Sequence, residues 1–535
     1  MLPLHNQIML NLSSKIILLA TIFICNQSAS QNPSILQGKN AIKTQEQSLQ
    51  EAPRANFVPT TKLKGYWNID IVGDFEIPKT KSITFCGAGR NLSIKQDWQK
   101  IFKRGFTSVD FTRMTPDERN IPESPKPNNW KSRLNPSQRV LWVGANYLAN
   151  QPFNLQWARN SELADQTLYQ DKKSFSSIAA AMKGLGGSCN IFGDCPPNGQ
   201  ACTYSKIFLD IENDGISYFK QQEQANLYIW MVNVLKYYAP NSEIGSIAPQ
   251  PYNDFGYSRA FAYQAKPSWL WATPAQHTST SKSRGMTDEI LGKTFSQVVD
   301  FQMPGTYYFF PDFDYDIPHN QDADRHWLAS LLGEQEVNLA LSNKKRIAWQ
   351  WLFNTQSANF NKSGRSEHPA PPAIAEGIGI FYWFTGAYGS ILWDDAVDLV
   401  PNTKTETDPN KVGTVSDRYY QCYEHYVHGL WRLFKHHGDM FDGNEKYLNQ
   451  NTECSYDQGK TWWKFNANQL KTRNLAFVRA IVNQDKILIA ATKPYAKPNE
   501  KTNVKVRYLA DGHKFETSIN LNGDEIFLGK ATLKK

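Results

Sequence analysis

From residue 80 to residue 385, short apolar runs alternate with longer segments of mixed polar and helical pattern. The runs cover residues 82–86, 107–111, 140–143, 207–210, 244–248, 298–302, 347–351 and 378–384. Each has the length of a strand, and intervening stretches such as 222–238 and 323–341 are long enough for a helix. That order predicts parallel βαβ units. Eight of them predict an α/β fold, a closed (β/α)8 TIM barrel with insertions, over residues 76–442. A doubly wound open sheet is the other arrangement the pattern allows. No glycine-rich phosphate loop follows any run, which counts against its dinucleotide-binding versions.

Beyond residue 440 the apolar period shortens to two. Runs at 476–482, 486–491, 503–509, 515–521 and 525–527, with Asp511-Gly512 and Asn522-Gly523 at turns, predict a small antiparallel β-sandwich over 443–535. Residues 455–462 fit the pattern S-x-D-x-G-x-T-W, an Asp-box. Asp457 and Gly459 supply turn chemistry there, and Trp462 is expected to pack beneath the hairpin. The pattern occurs once, which marks a hairpin and not a propeller.

The N-terminal end reads differently. Lys15 precedes the apolar run 16–25, and Ser28-Ala29-Ser30 places small residues at a cleavage site. Residues 1–30 therefore read as a secretory signal peptide, too short in its apolar part to span a bilayer. Export to a secreted or periplasmic location follows as an expectation. Lipid attachment at Cys25 fits less well, because Phe23 and Ile24 precede it where a small residue is wanted. Residues 31–75, rich in Gln, Asn, Ser and Lys, read as a leader and linker. No later segment is long and apolar enough to cross a membrane.

Export changes what the cysteines mean. Without Cys25 six remain, namely Cys86, Cys189, Cys195, Cys202, Cys422 and Cys454, which suits three disulfides in an oxidising compartment. There is no C-x-x-C pair for zinc. His425, His428, His436 and His437 read as a helix C-terminus closed by Gly438, so no metal or other cofactor is expected. The formal charge of +8 is spread over 535 residues without a dense basic tract, which argues against nucleic acid as a partner.

The chemistry concentrates at residues 206–214. In a strand Phe208, Asp210 and Glu212 share one face, and Leu209 and Ile211 take the other. Two carboxylates leaving a buried strand together are costly unless they have a task. Counted from the first run, this is strand four, and barrel active sites lie at the C-terminal ends of strands. Paired carboxylates are the minimum for cleaving a glycosidic bond, one of them donating a proton to the departing oxygen. Glu212, one step nearer the mouth, is the better donor, and Asp210 beside it would raise its pKa. Capping of the next helix by the same acids is the structural alternative. Strand seven ends Trp349-Gln350-Trp351 without a carboxylate. A separate base would come from Asp300, Asp312, Asp314 or Asp394. Gln250, Tyr252, Asp254, Gln302, Tyr307, Trp349, Trp351, Trp383, Tyr388, Trp393 and Asp394, near the other strand ends, are the expected sugar-binding residues.

Phe208-Leu209-Asp210-Ile211-Glu212 resembles the Asp-x-Glu motif on the fourth strand of barrel glycosidases, notably the hyaluronidases and the chitinase-like and lysozyme-like families. The resemblance implies a glycoside hydrolase acting on a poly- or oligosaccharide, with N-acetylhexosamine among the candidate sugars. It implies Glu212 as the acid, and Asp210 steadying an acetamido group that serves as internal nucleophile. A tyrosine near the end of strand six assists in such enzymes, and Tyr308 or Tyr307 fills that place. The longer chitinase run D-x-x-D-x-D-x-E is incomplete, because positions 205 and 208 are Ser and Phe. The competing reading is a non-catalytic carbohydrate-binding or scaffold protein on the same barrel. A metal-dependent esterase is a more distant one.

Overall fold

The structure is a computed structural model. It describes residues 45–46, 48–60, 67–86, 98–110, 135–144, 204–210, 232, 236, 241–247, 295–306, 308, 321–341, 345–354, 368–393, 420–448, 452–464, 469–470, 473–510 and 513–533.

Eight parallel strands close into a barrel: β1 (Ser82–Cys86), β2 (Ser108–Asp110), β3 (Arg139–Gly144), β4 (Lys206–Asp210), β5 (Glu243–Ile247), β6 (Phe301–Met303), β7 (Lys345–Trp351) and β8 (Gly389–Trp393). Their register fixes the geometry. Partner by partner, Cys86 leads to Asp110, Val140, Lys206 and Glu243, and the same registers continued through β6–β8 return to β1 at residue 78. Residue 78 lies eight positions before Cys86, so the shear is that of a TIM barrel, in which inward side chains stack in layers drawn from alternate strands.

The inward parity is set by contacts on the other face. Arg346 and Gln350 of β7 reach outward to Glu334 and to the Ile378 carbonyl, and Phe85 of β1 packs edge-on to Tyr423. Residues 345, 347, 349 and 351 of β7 therefore point inward, as do Phe208 and Lys206 of β4. At the lower end Glu243 is bonded by Lys345 (2.6 Å) and by the Tyr388 hydroxyl (3.0 Å), with Lys206 Nζ 3.9 Å away. Above this plug, Gly245 meets Phe301. A Cβ on Gly245 would sit 2.1 Å from the Phe301 ring, so the glycine makes room for the aromatic that fills the centre.

Three helices cover part of the outer face: α1 (Gln321–Leu341), α2 (Pro372–Ile378) and α3 (Gln421–Leu430). Pro372 opens α2 at a position whose N–H needs no helical partner. Helices α2 and α3 approach closely at Gly429, where a Cβ would lie 2.3 Å from the Glu376 carbonyl oxygen. The eighth strand is displaced from its expected place. Residues 378–384 are the end of α2 and a 3-10 turn (Phe381–Thr385) that stops at Gly386 with φ +81°. These side chains are buried on every side, between the barrel and the C-terminal sheets. An apolar run buried all round carries no helical stripe, so it imitates a strand.

The C-terminal part forms two sheets. One joins β10 (Thr452–Ser455), β13 (Lys501–Ala510) and β14 (His513–Asn522) antiparallel, and the other joins β9 (Lys446–Tyr447), β11 (Phe477–Asn483), β12 (Lys486–Thr492) and β15 (Ile526–Thr532) antiparallel. Val478, Ile489, Val504, Val506, Ile519 and Leu521 from both sheets share one apolar cluster. The Asp-box is a hairpin. Gly459 N–H donates to Ser455 Oγ (2.8 Å) and Thr461 N–H to Asp457 (2.8 Å), while the Arg507 guanidinium lies 4.0 Å from the centroid of the Trp462 ring.

Within the stretch that the sequence reads as leader, two two-residue strands join these sheets. Gln45–Glu46 adds a parallel pair to β14, and Gln50–Glu51 adds an antiparallel pair to β15. Two-residue strands have no period to read in sequence. Cys86, Cys422 and Cys454 are each buried in the apolar interior, with no disulfide joining them to one another among the described residues. Cys189, Cys195 and Cys202 lie outside the described residues.

Candidate active site at the barrel mouth

The stagger of the registers assigns each inward residue to a layer. Cys86, Trp142, Ile247 and Trp349 form one layer. By register, positions 305, 210 and 393, at the ends of β6, β4 and β8, fall one step nearer the C-terminal ends. Asp210 is the last residue of β4, in register with Gly144 of β3. Trp349 is nearly covered at 2% exposure, whereas Trp142 and Gly305 are partly exposed. Solvent reaches the mouth layer on those strands, over a floor of indole. Trp351 stands one step further out along β7 on the same inward face, 7% exposed.

Gly305 holds its place because the chain after β6 keeps bonding to β7: Trp349 N–H donates to Pro304 O (2.8 Å) and Thr306 N–H to Trp349 O (2.9 Å). Gly305 and Trp142 were missed in the sequence. The signal for Trp142 was its parity with Val140 in a strand of known end; for Gly305 there was no periodic signal beyond β6.

Several expected residues go elsewhere. Gln302 is in register with Ser246 and Arg346 and so faces the outer layer, opposite to Phe301 and Met303. Trp383 belongs to the 3-10 turn and packs edge-on to Phe434, 5.2 Å between ring centres, away from the mouth. Asp300 and Tyr388 precede their strands and bond at the closed end: Asp300 accepts from Lys236 (2.6 Å) and from Ile244 N–H (2.8 Å). Glu212, Gln250, Tyr252, Asp254, Tyr307, Asp312, Asp314 and Asp394 lie outside the described residues.

Tyr308 also leaves the mouth. Its ring is buried against Trp327 of α1, and its hydroxyl donates to Asp324 Oδ1 at 2.7 Å. Trp327 in turn meets Phe381, and Phe381 meets Phe477 of β11, so the pair sits where barrel and C-terminal sheets join. Burial drives the Tyr308 phenol well above its usual value, with Asp324 adding to it, and keeps it a donor. Burial also raises the Asp324 carboxyl to about 7, the Tyr308 hydrogen bond opposing and Asp524 adding. The sign follows directly. A carboxyl whose folded pKa exceeds its unfolded value binds protons better when folded, so stability is full below about pH 4 and declines up to about pH 7. Asp324→Asn keeps the acceptor for Tyr308 and abolishes the charge. It is expected to stabilise the protein above pH 7 by up to about 4 kcal/mol and to change nothing near pH 4. Thermal melts across that range check this.

The molecule is therefore a (β/α)8-barrel protein. Glycoside hydrolases appear among the solved structures to which it is similar. An endo-β-1,4-mannanase from Thermotoga petrophila aligns over 72% of this chain and 78% of its own, at 10% identity and a TM-score of 0.30. A family 30 endoxylanase from Clostridium papyrosolvens aligns over 86% and 98%, at 9% identity and 0.28. A conserved exported protein from Bacteroides fragilis aligns over 74% and 76%, at 11% identity and 0.35. Likenesses at this level assign no family. No protein-family description and no curated protein matches the sequence.

Proposed function

We propose that the chain is a secreted glycoside hydrolase that cleaves a poly- or oligosaccharide by carboxylate acid/base catalysis, its C-terminal sheets forming a supporting β-sandwich. The observation that supports this is the register position of Asp210, the last residue of β4, one step nearer the C-terminal ends than the positions of Trp142 on β3 and Trp349 on β7. A carboxylate beside a glycine gap and over indoles suits a pyranose ring: the apolar sugar face lies on the aromatic and the glycosidic oxygen turns to the acid. Glu212 follows two positions later in the sequence, and in an extended chain would share the face of Asp210. In this reading Glu212 protonates the departing oxygen and Asp210, on the floor side, steadies the charge that develops at the sugar. No side chain of Tyr308, Gln302 or Trp383 takes part. The expected result is the appearance of new reducing ends when the full chain is incubated with a panel covering hyaluronan, chitin, peptidoglycan, mannan and xylan. Binding to one of these glycans without cleavage would replace this reading by the non-catalytic one.

A further inference from the structure

The chain leaves β6 through Pro304, Gly305 and Thr306, and two separate contacts hold it there. The first is backbone to β7. Trp349 N–H donates to Pro304 O (2.8 Å), Thr306 N–H donates to Trp349 O (2.9 Å), and the Thr306 hydroxyl reaches the same carbonyl (3.4 Å). The second is the side chain of Tyr308, 2% exposed. Its hydroxyl donates to Asp324 Oδ1 in the first turn of α1 (2.7 Å), and its ring meets Trp327 edge-on with centroids 6.4 Å apart. Two residues of chain span at most about 7 Å, so a displacement of Tyr308 reaches Thr306 with a single residue to absorb it. Gly305 offers little resistance of its own, because glycine has the widest backbone freedom of any residue.

The α1 side of the contact is packed into the junction with the C-terminal sheets. Gly377 of α2 makes room for Trp327, since a Cβ there would lie 2.8 Å from the indole. Trp327 meets Phe381, and Phe381 meets Phe477 of β11. Arg325 bonds Asn474, between β10 and β11 (2.6 Å). Asp324 is 2% exposed, and its Oδ2 has no hydrogen-bond partner among the described residues. A buried carboxyl with one oxygen unpaired is destabilising, and an apolar pair of similar volume would close the junction without that loss. What ring packing does not supply is direction: a hydrogen bond selects one placement of Tyr308.

We propose that Tyr308 and Asp324 are positioning residues of the barrel mouth. Their hydrogen bond ties residues 304–306, and with them the place of Gly305 beside Trp349, to α1 and the C-terminal sheets. This rests on the reading of the mouth as a sugar site, in which Gly305 is the gap and Trp349 the floor. Neither residue of the pair touches the sugar; both set where gap and floor stand.

Hydrogen–deuterium exchange of the full chain, read on peptides covering residues 301–308, tests this with two variants at one pH. Tyr308→Phe keeps the ring and removes the hydrogen bond. Protection there is expected to fall about tenfold, with peptides from β1 and β12 unchanged. Asp324→Asn still offers an acceptor to the hydroxyl and is expected to keep the protection. Unchanged protection in Tyr308→Phe overturns the proposal. So does an equal loss in the β1 and β12 peptides, the mark of a merely structural contact, and so does an Asn variant as unprotected as the Phe variant. On a glycan that the protein cleaves, Tyr308→Phe is expected to raise KM about tenfold with kcat within a few-fold, since the proton donor is untouched. An unaltered KM removes the pair from the mouth. A protein that cleaves none of the panel sets aside the sugar-site reading alone, and the exchange result then decides whether the pair positions the segment.

Discussion

In the proposed reading, Glu212→Gln is expected to lower turnover of the glycan substrate by about a thousandfold, within the range that removal of a general acid produces. The amide matches the carboxyl in volume and cannot donate a proton to the departing oxygen. KM should stay within a few-fold, because the indole floor of Trp142 and Trp349 and the gap at Gly305 are untouched. Asp210→Asn is expected to lose less, since it removes charge stabilisation and leaves the proton donor. Steady-state kinetics on the cleaved glycan, with melting temperatures alongside, make the check. A Gln variant with unaltered turnover removes Glu212 from the mechanism.

The second large effect is structural. Arg346 of β7 points out of the barrel and bonds Glu334 of α1 and the Thr385 carbonyl just before Gly386. Both charged side chains are almost fully buried, 4% and 1% exposed. Burial opposes the guanidinium charge, and the Glu334 carboxylate with Tyr382 outweighs it, so Arg346 is held charged. Arg346→Met strips Glu334 of its cation in a dry place, and such a loss costs about 3–5 kcal/mol. In a chain this large that is a fall in melting temperature of about 3–5 °C. Arg346→Met combined with Glu334→Leu removes both charges and should recover most of the loss. Thermal melts of the two single variants and the double variant decide it.

Seven of the eight barrel strands could be read from the sequence, because a parallel strand buried on both faces is a short apolar run with polar ends. The same property hid which side faced inward. Phe301, Gln302 and Met303 give no amphipathic parity, and only the register with Arg346 shows that Gln302 looks outward. β4 ends at Asp210, as the apolar run 207–210 in the sequence predicts. The run at 378–384 failed for a different reason: burial all round erases the helical stripe, and Pro372 and Gly386 were the remaining signs of a helix. Tyr308 illustrates a third limit. Its distance along the chain from β6 suited a catalytic role, yet Asp324 and Trp327 draw it toward the C-terminal sheets, a contact between distant parts of the sequence that no local pattern records.

The ionic plug of Lys206, Glu243, Lys345 and Tyr388 at the lower end has a consequence for traffic. With Phe208, Phe301 and Ile347 packed above it, the described part of the barrel is closed at its lower end. In the proposed reading a sugar would therefore approach and leave from the C-terminal ends of the strands, and a released fragment would stand in the path of the next arrival.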